Sequence, residues 1–426
     1  MERRAVVTCF LRHEGAVLLC KRSEAVGSYP GKWGVVAGHA ESRAAGEAGE
    51  LTDADLDAAA RREIREETGL GDGDVTLVRR DEAFDVTDED LGVAWTVHPY
   101  LFDATTRDVR TNWETTVAEW VAPTAILHRE TVPDLWTSYD RVRPSAETVA
   151  TDREHGAAYI SVCALEVLRD EAALAARRGG DCAGVAGLAR DLLDARPSMS
   201  VVRNRVNRVM HAVRDCETAR TVEHVASAAI ERAVSADRRA AERAVEHVTD
   251  RRVATLSRSG TVRQTLQYAD PEAALVAESG PGREGVAVAE SLADATAVTL
   301  TTDTDFAHAL ETWDADVLLV GADTVLADGR VVNKVGTRAA AIVSSFEGIE
   351  VLVTAAVDKL SPDGAIDLEP RDPTEVYDGE AEIDVLNRTF DVTPPDCVDG
   401  VVTEQGLLDG SAVARVVEDH RDHATW

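Results

Sequence analysis

The sequence predicts an α/β protein in which a compact mixed unit is followed by a helical bundle and then by a doubly wound, mainly parallel sheet. Three observations predict it. An early hairpin pattern leads to one strongly periodic helix, residues 151–247 read as helix almost throughout with Pro197 as their only proline, and from residue 251 short apolar runs alternate with helical patterns. Apolar runs of that length between helices are strands buried on both faces, the mark of a parallel sheet. At 426 residues the chain exceeds what one core organises, and at 44% hydrophobic content it can fill several. The expected divisions are residues 1–135, a connection at 136–150, a helical part at 151–247 and the sheet at 248–426.

Charge narrows the function classes. The net charge is −32, with 77 acidic residues spread through every segment rather than gathered in a tail. Such a surface suits high salt, where screening suppresses self-repulsion, and it disfavours general nucleic-acid binding, which needs a basic face. The N-terminal apolar run is broken by Arg12, His13 and Glu14 and no run approaches a membrane span, so a cytoplasmic protein is expected. Six cysteines without a C-x-x-C pair read as free, mostly buried thiols in a reducing compartment.

In the first unit, "AVVTCFL", the polar turn "RHEG" and "AVLLC" form a hairpin, and the glycine-rich "GKWGVVAGHAE" follows. The helix "LTDADLDAAARREIREETGL" has Asp53 or Asp55 to cap its start and Gly69 to end it. "DVTLVRR", "VAWTVHPYLF" and "ETTVAEWVAP" complete the unit, and "RETVPDLWTSYDRVRPSAE" reads as a connection. On the helix, Glu63, Glu66 and Glu67 stand at i, i+3 and i+4 and share a face. Carboxylates so crowded repel unless something positive sits among them. A hard divalent cation, Mg²⁺ or Mn²⁺, prefers such oxygens and can clamp a pyrophosphate and activate a water.

The pattern R-E-x-x-E-E-x-G behind "GKWGVVAGHAE" and a hairpin resembles the Nudix hydrolase family over residues 1–135. The resemblance implies an α/β/α sandwich, with Gly38 opening the family's box and Arg62, Glu63, Glu66, Glu67 and Gly69 closing it. It makes the glutamates the metal ligands, Arg62 their brace and Gly38 part of the substrate site. Two features depart from the pattern. Ala37 stands where many members have a second glycine, and the loop between Gly38 and Arg62 is longer, so Glu47 and Glu50 both fit the middle glutamate of the box.

All but four of the 45 basic residues are arginine, and Lys334 is one of the four. In "LLVGADTVLADGRVVNKVGT", Asp323 ends a buried strand, Lys334 follows a turn and Gly336 permits close approach of backbone amides to a ligand. A lysine beside a strand's carboxyl end is a natural phosphate partner; the alternative is a surface lysine paired with Asp323 or Asp328. This stretch, with "ESGPGREG" (278–285), "NRTFDVTPPDCVDGVVTEQG" (387–406), "REHGAA" (153–158) and "ARPSMSVVRN" (195–204), resembles one superfamily. It holds the alpha, beta and delta subunits of translation initiation factor 2B, ribose-1,5-bisphosphate isomerase and methylthioribose-1-phosphate isomerase. The resemblance covers residues 145–426 and implies a Rossmann-like domain, a homo-oligomer formed through it, and a phosphorylated sugar or nucleotide as ligand.

In the isomerases a cysteine and an aspartate move hydrogen between C1 and C2 of the sugar. Asp323 stands at the aspartate position, while Ser257 in "TLSRSGTV" stands at the cysteine position, and a hydroxyl is a far weaker acid than a thiol. Gly280 replaces an arginine that isomerases tend to carry, with Arg283 nearby as a substitute. Ser257, Arg258, Ser259, Glu278, Arg283, Asn333, Lys334 and Gly336 are the expected ligand contacts.

Two functions follow side by side. One is a metal-dependent hydrolase of a nucleoside diphosphate derivative, such as ADP-ribose, fused to a domain that binds or isomerises a phosphorylated pentose. The other is a regulatory protein of the initiation-factor kind that uses both parts as ligand sensors. The intact glutamate set favours hydrolysis in the first part, and Ser257 favours binding without isomerisation in the second.

Overall fold

Neighbouring residues of the strand Glu2–His13 belong to two different hydrophobic cores. Val7, Cys9 and Leu11 point into one and Phe10 into the other, as the two-residue period of an extended chain requires. The protein is seen here as a computed structural model that describes residues 2–40, 51–362, 364 and 366–426. It divides into two units, Met1–Pro144 and Ser145–Trp426. The first contains β1 (Glu2–His13), β2 (Ala16–Arg22), β3 (Trp33–Gly34), β4 (Val36–His39), α1 (Asp53–Thr68), β5 (Val75–Arg80), β6 (Phe84–Asp88), β7 (Val93–Ala104), β8 (Thr115–Val121) and α2 (Leu135–Val142).

These strands make one sheet in the order β3-β2-β1-β7-β5, with β4 paired to β1, β6 to β7 and β8 to β2. Only β1 and β7 run parallel; the other pairings are antiparallel. Ala59, Ala60 and Ile64 of α1 cover one face of the sheet, and Leu135, Tyr139 and Val142 of α2 cover the other. The segment read as a connection is therefore partly a core helix. Its signal was the helical spacing of those three apolar residues. The start of α1 also differs from expectation: Thr52, not Asp53 or Asp55, is the cap, and Asp55 closes a reciprocal capping box with it. Gly69 ends the helix in the left-handed region, with φ 74°.

The second unit opens with α3 (Ala146–Thr151), α4 (Ala157–Arg177), α5 (Cys182–Ala195), α6 (Ser200–Ala212) and α7 (Ala219–Ala244), packed around Leu165, Leu168, Val202, Val206, Val222 and Ile230. Two of the thiols expected to be free are joined here. The start of α5 meets the α6–α7 turn, and Cys182 is disulfide-bonded to Cys216.

Then come β9 (Arg252–Leu256), α8 (Gly260–Tyr268), β10 (Ala273–Ala277), α9 (Glu284–Leu292), β11 (Val298–Thr301), α10 (Asp303–Thr312), β12 (Val317–Val320), β13 (Thr324–Leu326), β14 (Val331–Lys334), α11 (Thr337–Glu347), β15 (Glu350–Thr354), β16 (Leu360–Ser361), β17 (Phe390–Thr393), β18 (Gly400–Thr403), β19 (Gly406–Leu407) and α12 (Gly410–His423). The main sheet has the order β11-β10-β9-β12-β15-β18-β19, and every pairing except β18–β19 is parallel. Leu318 and Val320 enter the core with α10, α11 and α12, whereas Val317 and Leu319 enter the one with α8 and α9. Helices thus cover both faces. A second sheet, β16-β13-β14-β17, was not anticipated, because its strands are too short to show a period. Among the described residues no helix is long and apolar enough to cross a membrane.

Buried charge fastens the helices to the sheets. Asp358 accepts from Arg205 (3.1 Å) and from Arg208, and Arg205 also reaches Asp237 (3.0 Å) and Ser161 (2.7 Å). Burial alone would raise the Asp358 carboxyl, but Arg208 and then Arg205 hold it well below the ordinary carboxylate range. A depressed carboxyl contributes stability that is complete above its unfolded value near 3.8 and is lost as pH falls below it. Asp358→Asn should take the charged partner from the part-buried Arg208 and one of two from the buried Arg205, and lower stability by about 3–5 kcal/mol, the usual cost of breaking a buried pair. Chemical denaturation at neutral pH checks this, and an unchanged midpoint would contradict it.

Candidate functional sites

In the first unit, β4 lies close against α1 at Gly38, where a larger residue would push the Glu63 side chain aside. A Cβ there would fall 2.0 Å from Cδ of Glu63, whose side chain occupies the space. Arg62 donates to Glu63 (2.8 Å) and to the His39 carbonyl (3.0 Å), tying the helix to the strand. One turn on, Glu67 is buried and accepts the Ala37 amide (3.0 Å). Its carboxyl is pushed up to about 8, first by burial and then by the charges of Glu114 and Glu63, against the pull of the Ala37 amide and Arg22. Glu66 is exposed and outside the cavity wall, and Glu47 and Glu50 lie outside the described residues.

Gly38, Arg62 and Glu63 open onto a cavity of about 460 Å³, within the roughly 300–1,000 Å³ usual for small-molecule sites. Arg22 and Glu114 share its polar side, and Tyr29, Phe84 and Trp95 its aromatic side. The Trp95 indole donates to the Tyr29 hydroxyl (3.2 Å), which donates to Asp88 (2.8 Å), and His39 stacks on Trp95 at 5.8 Å. Cys9 and Cys20 are buried close by with thiols pushed up by burial, that of Cys20 to about 12, so neither serves as a nucleophile. Sequence reasoning missed Glu114 and the aromatic wall. Glu114 immediately precedes β8, far along the chain from the box, and only its place at the head of "ETTVAEWVAP" hints at it.

Among the described residues, no three acidic, histidine or cysteine side chains converge as a ready-made metal cage. The donors nonetheless fit a hard divalent cation. Glu63 and Glu114 each act by charge on the buried Glu67, Arg22 opposes them, and Arg62 donates to Glu63, so the donors nearby are the carboxylate oxygens such a cation takes.

In the second unit the main sheet's order reverses between β9 and β12, which opens a crevice at the strands' carboxyl ends. Ser257 follows β9 in the left-handed region (φ 65°), its amide donating to the Ser279 hydroxyl (2.7 Å). Ser257, Arg258, Ser259, Asp323, Asn333 and Lys334 line one cavity of about 90 Å³. The Asp323 carboxyl is pushed up by burial against the pull of Lys359. The Lys359 ammonium is pushed down by burial, with Asp323 opposing, and it donates to the Ala322 carbonyl.

Several expectations change here. Lys334 is buried rather than on the surface, because β14 places it inside the small sheet, and its partner is Glu284 at the head of α9, not Asp323 or Asp328. Gly336 offers no amide to a ligand, because Asp391 takes it (2.8 Å). Glu278 and Arg283 lie outside the cavity wall as an ion pair (3.5 Å). Residues not singled out enter the wall instead: Glu284, Arg371, and Arg196, whose guanidinium pairs with Glu369 (3.0 Å). Arg196 lay inside the quoted "ARPSMSVVRN", but its partner is distant in the chain, so no local pattern joins them.

Comparison with known proteins finds a family match in each unit. The NUDIX domain matches residues 1–142, and the Initiation factor 2 subunit family matches residues 153–410. Ribose 1,5-bisphosphate isomerase of Haloferax volcanii is 32% identical over 311 residues, which are 66% of this chain and 94% of that one. Methylthioribose-1-phosphate isomerase of Stutzerimonas stutzeri is 36% identical over 138 residues, 30% of this chain and 38% of that one. Translation initiation factor eIF-2B of Pyrococcus horikoshii OT3 superposes with a TM-score of 0.53 at 24% identity, covering 62% of this chain and 94% of its own. The 5-methylthioribose 1-phosphate isomerase of the same organism superposes with a TM-score of 0.52 at 18% identity, covering 82% and 95%. At such identities these two structures show a shared fold. With the crevice and its motifs in the second unit and the glutamate box in the first, this chain belongs to the Initiation factor 2 subunit family and carries a NUDIX domain ahead of that part.

Proposed function

We propose that the first unit is a pyrophosphohydrolase of a nucleoside diphosphate derivative and that the second, on a Rossmann-like sheet, binds a phosphorylated sugar or nucleotide. The observation that carries the first reading is Glu67, a buried carboxyl crowded by Glu63 and Glu114 beside a cavity with an aromatic wall. Glu63, Glu67 and Glu114 would hold Mg²⁺ or Mn²⁺, which when bound supplies charge neutralisation for a pyrophosphate and a more acidic water. Arg62 fixes the Glu63 carboxylate, and Arg22 faces the same cavity as a cation for a phosphate oxygen. The aromatic wall suits a nucleobase, which presents a flat face to stack. In the second unit Ser257 cannot supply a thiol's acidity, so ligand binding is the role and isomerase turnover is weak or absent. The relatives named as isomerases of phosphorylated sugars, together with Arg196, Arg258, Lys334 and Arg371 around one crevice, support a phosphorylated ligand.

The hydrolysis test is a panel of nucleoside diphosphate derivatives, ADP-ribose included, with Mg²⁺ or Mn²⁺. Glu63→Gln and Glu67→Gln should each cut turnover on the order of 10²-fold or more with the fold intact. Full activity in either variant, or in excess chelator, would overturn the assignment.

A pH series probes Glu67 separately. A carboxyl raised from 4.5 to about 8 on folding disfavours the folded state once it must ionise. Metal-free protein should therefore lose stability as pH rises from about 5 to 8, and Glu67→Gln should flatten that slope. Melting curves that are parallel for the two proteins would remove Glu67 as the cause.

We further propose that the second unit forms a homo-oligomer. Phe346 and Ile342 on α11 leave apolar side chains exposed, Phe346 by 85%. Light scattering should give at least a dimer, and Phe346→Glu should shift it toward monomer. A monomeric parent protein would overturn this.

A further inference from the structure

We propose that Glu284 is a latch on the crevice of the second unit, holding Lys334 in place of a phosphate, so that the ligand must displace a carboxylate the protein itself provides. The inference rests on reading this crevice as a phosphate site. Lys334 ends β14 and Glu284 begins α9, so the pair joins two separate elements across the cavity. Both side chains are largely buried, at 8% and 11% exposure, which rules out a casual surface contact.

The Glu284 carboxylate is only half satisfied. One oxygen accepts from Lys334, while Oε2 is buried without a hydrogen-bond partner. Buried carboxylates kept for structure normally have both oxygens bonded. Glu369, on the wall of the same cavity, shows the contrast: it takes Arg196 and Ser198 together and is fixed. Glu284 is thus the loosely held acid of the two.

Space argues the same way. The cavity of about 90 Å³ is well below the roughly 300 Å³ at which small-molecule pockets begin. A phosphorylated pentose enters only if the wall moves, and a carboxylate swinging away from Lys334 frees both volume and the cation. Glu284 has somewhere to go. Arg371 faces the same cavity within reach of its charge, and Gly282, whose Cβ would sit 3.0 Å from the carboxylate, leaves the space beside it open.

A built-in carboxylate also grades the anions that enter. A monoanion gains little by replacing one carboxylate with another, whereas a phosphate ester brings more charge and three oxygens for Lys334 and the neighbouring arginines. Glu284 therefore sets both affinity and selectivity.

Calorimetric titration of the full chain with ribose 1,5-bisphosphate tests this, comparing the parent protein with Glu284→Gln and Glu284→Asp. Glutamine removes the charge, and aspartate keeps it but shortens its reach. Both variants should bind about tenfold more tightly, the factor expected if the latched form outnumbers the open one by ten to one. Should Glu284→Gln lose its fold by circular dichroism, Glu284→Asp decides. Binding by the parent that is equal or weaker in a folded variant overturns the latch alone. No binding by any of the three overturns the phosphate reading and the latch with it.

Discussion

Asp358 is the point on which the second unit's assembly turns. Arg205 and Arg208 reach it from α6, and its carbonyl, with that of Leu360, accepts from Asn204 (2.8 Å each) on the same helix. A helical bundle and a sheet that share apolar faces could slide; a buried carboxylate between two guanidinium groups fixes one relative position. Lys359 follows directly and lies beside Asp323, so the anchoring segment also positions one wall of the crevice. The site inherits its geometry from the fastening.

The two units use glycine in related ways. In the first, Gly38 vacates the space that the Glu63 side chain fills. In the second, Gly321 stands where a Cβ would meet Ser259 at 2.5 Å, keeping the carboxyl edge of β12 close to the head of α8. In both places a missing side chain lets a functional one approach backbone. That is a local device and needs no shared ancestry.

Much of the fold is legible because periodicity is a local signal. The short apolar runs after residue 251 include strands β9, β10, β11, β12, β15 and β18, the periodic segment ending at Gly69 is a helix, and the stretch 151–247 is helical over most of its length. What escaped is mostly below the period's resolution, as with three- and four-residue strands such as β13 and β14; the eight-residue α2 carries its period on only three apolar residues. For the sites, sequence motifs indicate which loops matter but not which atoms meet. Lys334 was noticed for its rarity, yet its partner Glu284 is fixed by topology, and Glu114 reaches the glutamate box only through sheet pairing. The pairing of Cys182 with Cys216 was hidden for the same reason.

The chain of hydrogen bonds from Trp95 through Tyr29 to Asp88 has a kinetic meaning. The aromatic wall is set by two strands and a loop before any ligand arrives, so a planar group settling against it immobilises no further side chain there. Ordering such side chains ordinarily costs about 0.5–1.5 kcal/mol each on binding. A wall already rigid leaves the rate of encounter to diffusion and charge, and differences among ligands then register as differences in how long each one stays.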